Sequence, residues 1–201
     1  MQLQKYSHLL EKLLKSDKTP SVLISLGKKF LKDNGISISQ ILLLQASGSA
    51  IIVLLEIPTG IFADVKGRKS SIFLATVSYT LASALMILAK SFAAFFIALS
   101  LTAISVVFFS GALDAMIFDS LKEARVKNVS KFIAYSNIVK ALSLGVSVVL
   151  GGIIAKFSYR YNFAIMTLLG IISILLAFIV REPPYKKKST TLKDEGANLK
   201  K

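Results

Sequence analysis

Apolar positions in this chain gather into long runs separated by short polar links, instead of recurring with the two-residue period of a strand. Runs over 40–64, 71–89, 92–119, 132–155 and 162–180 are apolar or small almost throughout. About 20 such residues at 1.5 Å per residue cross a hydrocarbon core of ~30 Å, so the pattern predicts five membrane-spanning helices. Before them the pattern changes. Leu3, Tyr6, Leu10, Leu13 and Leu14 fall on one helical stripe with Lys5, Glu11, Lys12 and Lys15 mostly opposite, which predicts an amphipathic interfacial helix over 1–18. Thr19 and Pro20 read as an N-cap and first-turn proline that open a second helix ending at Gly35. Its apolar core, Val22 to Leu26, is too short to span, and Lys28 and Lys29 stand where a span would continue. The expected fold class is an all-α integral membrane protein with five transmembrane helices and a short or degenerate first helix over about 20–31. A bundle over 19–184 is followed by a polar tail, 185–201, expected to be disordered and basic against anionic headgroups.

The links fix an orientation. Lys66, Arg68 and Lys69 follow the first run, and Lys90 stands alone after the second. LKEARVKNVSK follows the third, Lys156 and Arg160 the fourth, and REPPYKKK the last. Positive charge thus dominates alternate links, which places the first, the third and the C-terminal tail in the cytoplasm. Five crossings would leave the N-terminal lysines outside; a sixth, shortened crossing through 20–31 would bring them inside and is the favoured reading. Composition agrees: of 201 residues, 54% are hydrophobic, and the net charge of +14 sits in the links and the tail. A membrane surface accounts for that distribution better than nucleic acid does. There are no cysteines and a single histidine, His8, so disulfides and Cys- or His-based metal sites are not expected. No signal-peptide pattern is seen before Leu31.

Away from the cytoplasmic edge, three spans each hold one charged residue: Glu56, Asp114 and Lys140. A charge at that depth costs a few kcal/mol or more unless it faces a cavity or a partner. Counted from the cytoplasmic ends, the three lie at similar depth, which predicts one layer in which Lys140 pairs with Asp114 or Glu56. The bland alternative is that Lys140 snorkels to the interface beside a neutral Asp114. Pro58 removes a backbone donor beside Glu56 and is expected to kink the helix there. Nearer the cytoplasm, Arg68 is placed to bridge Asp64 and Asp119. Ser143, Ser147 and Gly151, with Gly145 and Gly152, form a small-residue face suited to close helix packing. The second and fifth runs carry no charge and can face lipid.

The stretch GIFADVKGRKS resembles the signature between the second and third helices of the major facilitator superfamily (MFS). Upstream EIPTG, the later SGALDAMIFDSLKEA and the closing REPP look like one subgroup of those transporters. The resemblance covers about 36–184, one six-helix half of a twelve-helix fold, with KDNGISISQI as the end of the first helix. It implies that Gly60, Asp64, Gly67, Arg68 and Lys69 form a gating signature that stabilises the outward-facing state, with Asp119 as partner acid. It also implies departures. The fourth-helix arginine of proton-coupled members would fall at Val107, and the glycine-proline pair of antiporters would fall at Ser147 and Val148, ahead of Gly151 and Gly152.

The expected function is transmembrane transport of small solutes, with proton-coupled efflux the favoured form. It would be performed by a half-length chain working with a C-terminal transporter half or as a homodimer. Glu56, Asp114 and Lys140 are the candidate substrate or proton pathway. Carboxylates inside a membrane titrate nearer neutrality than in water, which makes a proton gradient the expected energy source. The alternative is a truncated remnant, or an interaction partner docking on an intact transporter. No phosphate-cradling loop, nucleophile and base pair or metal constellation is visible, so neither an enzyme nor a primary pump is expected. Expected partners are the lipid bilayer and a small-molecule substrate, with no nucleic acid and no cofactor; the expected location is the plasma membrane.

Overall fold

The computed structural model describes residues 28–126, 128–180 and 182. The expected interfacial helix over 1–18, most of the short first helix and the tail lie outside them. Five long helices follow in order: α1 (Ile38–Lys66), α2 (Arg68–Leu88), α3 (Phe92–Glu123), α4 (Val129–Ala155) and α5 (Tyr159–Ile179). All five are long and apolar enough to cross a membrane. Each joins the next through a tight link, so neighbours in sequence run antiparallel. The α1–α2, α3–α4 and C-terminal links lie at one end, called here the Arg68 end; the other is the Arg160 end.

Local chemistry sets the boundaries. Ser37 caps α1 by accepting from the Gln40 backbone N–H while the Gln40 side chain accepts from the Ser37 N–H, a reciprocal capping box. α1 continues through Pro58, and Thr59 Oγ1 donates to the Leu55 carbonyl at 2.8 Å. It stops at Gly67, whose φ of 107° lies in a region open to glycine and strained for other residues. Ser91 and Ser158 cap α3 and α5 through their hydroxyls.

Packing is uneven. α2 is the helix around which the others assemble, against α3, α5 and part of α1, and it buries Ser71, Ala75, Thr80, Ala82, Ser83 and Met86. Small residues permit this approach: a Cβ on Gly170 of α5 would meet Thr80 Oγ1 at 2.3 Å. Thr167 of α5 donates to Ser83 of α2 at 3.0 Å, closing the seam with a hydrogen bond. The charge-free run over 71–89 therefore has an inward face as well as the outward one of Leu74, Leu81 and Leu85. By contrast α4 buries no residue, and Gly145, Gly151 and Gly152 have nothing near where a side chain would be. Among the described residues the small-residue face of α4 meets α5 at Asn162, whose Nδ2 donates to the Gly151 carbonyl at 3.0 Å, but its glycines are not closely packed as expected.

At the Arg160 end, Phe30, Leu31, Ile36, Ile41 and Leu44 join Phe95 and Ala98 in the main apolar cluster. The Phe30 ring lies 5.7 Å from Phe95, edge to face, and 5.2 Å from Phe163. The helical segment over 28–33 is thereby fixed against the bundle, and its lysines 28, 29 and 32 point outward.

Candidate functional site

The Arg68 end holds the first of two charged groups. Because Gly67 separates two helices with no spare residue, α2 begins with Arg68 already beside the last turns of α3. Its guanidinium pairs with Asp119 and donates to the Ala115 carbonyl at 2.6 Å, and both charged side chains are only 19% exposed. Such a half-sheltered pair is held by the packing around it and ties the start of α2 to α3. Lys69 reaches the opposite way and donates through Nζ to the Phe178 carbonyl at the end of α5, at 2.9 Å. That contact is favourable because a helix C-terminus carries partial negative charge.

A residue passed over as a chain-end marker completes this group. Glu182 accepts from the Lys69 backbone N–H at 3.3 Å, at the N-terminus of α2, where no side chain of the preceding residues caps the helix. A carboxylate there offsets unpaired N–H groups and the positive end of the helix dipole. Its oxygens sit 2.6 Å and 2.8 Å from where a Gly67 Cβ would stand, a contact that the flexible Glu182 side chain can relieve, so it is the backbone angle that calls for glycine. The available signal was an acid following the last apolar run in a chain whose second helix opens on glycine and two cations.

The second group lies deeper. Lys140 of α4 donates through Nζ to Asp114 Oδ1 of α3 at 2.7 Å, with side chains 46% and 70% exposed. Glu56, also exposed, is not brought to either; it lines a cleft of about 260 Å³ between α1 and α3 with Thr59, Gly60, Asp64, Arg68 and Gly111. This cleft extends from Glu56 in the apolar part of α1 to Arg68 at its end. Asp64 and Arg68 share its wall. Gly60 lies in it with open space where a side chain would be, and Val107, buried, forms part of the floor. Among the described residues no group of histidine, cysteine or acids is arranged to hold a metal ion.

Arg160 is the other residue that sequence reading did not single out, having been counted only as link charge. It donates to the Ile87 carbonyl, to Asn34 Oδ1 at 3.3 Å and to the Ala89 carbonyl at 3.4 Å. One guanidinium thus closes the end of α2 and fastens the segment preceding α1 to α5.

No match was found among curated proteins. The family model described as Major Facilitator Superfamily matches residues 21–201. The match and the five apolar helices make this a multi-pass membrane protein with the fold of a transporter family. The chain belongs to the Major Facilitator Superfamily.

Proposed function

We propose that the chain forms one bundle of a transporter that moves small solutes across the plasma membrane, in the direction of efflux and coupled to protons. It works against a complementary bundle, supplied by a second copy or a separate half. The bundle spans 19–184, the Arg68 end and the basic tail over 185–201 face the cytoplasm, and the protein carries out no covalent chemistry. The observation that carries this reading is the Lys140–Asp114 pair, open at the surface of two apolar helices. Charged groups at such depth do not face hydrocarbon, so the surface bearing them borders water or protein. Glu56 stands in the neighbouring cleft and supplies a second titratable group on that surface. Alternating access needs a second wall opposite this one.

In this reading Glu56, Asp114 and Lys140 form the substrate and proton pathway. Gly60, Asp64, Gly67, Arg68, Lys69 and Asp119 act as the gate at the cytoplasmic end. Asp119 supports the role by pairing with Arg68, and Gly60 by leaving room for an opposing helix. The test is flux driven by a pH gradient in proteoliposomes holding the full chain, alone and with a candidate second half. Flux lost in Asp114→Asn supports coupling through this residue; flux unchanged by that substitution rejects it. No flux in any combination favours an interaction partner of another transporter.

A further inference from the structure

A second crevice, of about 450 Å³, opens between α2, α3, α4 and α5, on the side of α3 away from the Glu56 cleft. Its wall is mostly apolar, with Ala75, Val106, Phe109, Met166 and Leu169 contributing and no acid or base among the lining residues. Three hydroxyls nevertheless face it without a hydrogen-bond partner among the described residues: Tyr79, Ser105 and Ser147. The contrast with their neighbours is instructive. Thr76 and Ser173, in the same wall, donate to carbonyls of their own helices at 2.8 Å and 2.9 Å, as hydroxyls in apolar surroundings ordinarily do. Ser105 is largely buried as a residue, at 6% exposure, and lines the crevice.

We infer that this crevice is a binding site for an uncharged lipophilic molecule bearing a hydrogen-bond acceptor, held by Tyr79, Ser105 and Ser147. The volume lies within the roughly 300–1,000 Å³ of sites that take drug-sized ligands, and an apolar wall with a few convergent polar groups is their usual composition. The absence of any charged lining residue selects against ionised ligands, because a charge brought there has nothing to offset its desolvation. All lining residues belong to membrane-spanning helices, so entry is lateral, from the bilayer. Since α4 buries none of its residues, it forms a wall that yields as a ligand enters.

The experiment uses the full chain in nanodiscs with a photoactivatable monoacylglycerol, its adducts mapped by mass spectrometry. Saturable labelling at Val106, Met166 and Leu169, competed by unlabelled monoacylglycerol, is expected. Ser147→Phe, on a helix with no buried side chain, fills the crevice and should abolish that labelling. Tyr79→Phe combined with Ser105→Ala should weaken it about tenfold, as the loss of two hydrogen bonds implies. Labelling that rises linearly with probe, resists competition or survives Ser147→Phe would reduce the crevice to ordinary lipid contact. Equal saturable labelling by a photoactivatable lysophosphatidate would overturn the uncharged class.

Discussion

Single residues at the Arg68 end do more than their small number suggests. Asp119→Asn leaves the Arg68 guanidinium half-sheltered beside a neutral amide, and a loss of about 2 kcal/mol is expected, below the ~3–5 kcal/mol of a fully buried pair because both groups retain some exposure. Thermal unfolding in detergent measures it, and Arg68→Ala should cost a similar amount. Combining the two should cost clearly less than the sum of the singles. Gly67→Ala meets a backbone angle that only glycine holds without strain, so it should cost about 1–3 kcal/mol. Glu182→Ala removes the carboxylate from the start of α2 and should by itself cost about 0.3–1 kcal/mol. The Lys140–Asp114 and Arg68–Asp119 contacts could be anticipated because a charge at the end of, or inside, an apolar run must find a partner. Glu182 and Arg160 could not, because each acts on a distant helix end and no spacing along the chain encodes that proximity.

At the level of helices, membrane thickness made the elements legible, since an apolar run either reaches ~30 Å or does not. Which helix lies inside and which outside is a different question, and absence of charge answered it incompletely. The inward position of α2 depends on small residues meeting small residues: Ala75, Ala82 and Ser83 on one side, Gly170 on the other. Such matches give no strong periodic signal in helices that are apolar on every face. Gly170→Leu should therefore part α5 from α2 and break the Thr167–Ser83 hydrogen bond, with loss of folded protein in fluorescence-detected size exclusion. Gly151→Leu on α4, which adds a side chain in open space, should be tolerated by the isolated chain. If Gly151→Leu instead blocks association with a second bundle, the small-residue face of α4 is an intermolecular surface. The open space at its glycines would then be accounted for.

The molecule as a whole is a bundle with two contrasting exteriors. Leu168, Ile172, Leu175 and Ile179 make α5 apolar on the outside, as a lipid-facing helix must be. Across the bundle, α1, α3 and α4 carry Glu56, Asp114 and Lys140, and this asymmetry is what turns a family fold into a proposal about a pathway. The measurement that tests it most directly uses the lack of native cysteine. Gly111→Cys places a thiol in the Glu56 cleft, where the structure leaves room for a side chain, and Leu168→Cys places one on the outward face of α5. Maleimide reacts with the thiolate, which needs water, so a membrane-impermeant maleimide should label the first at least about tenfold faster than the second in proteoliposomes. Equal, slow labelling at both positions would place the Glu56 surface in lipid and contradict the account.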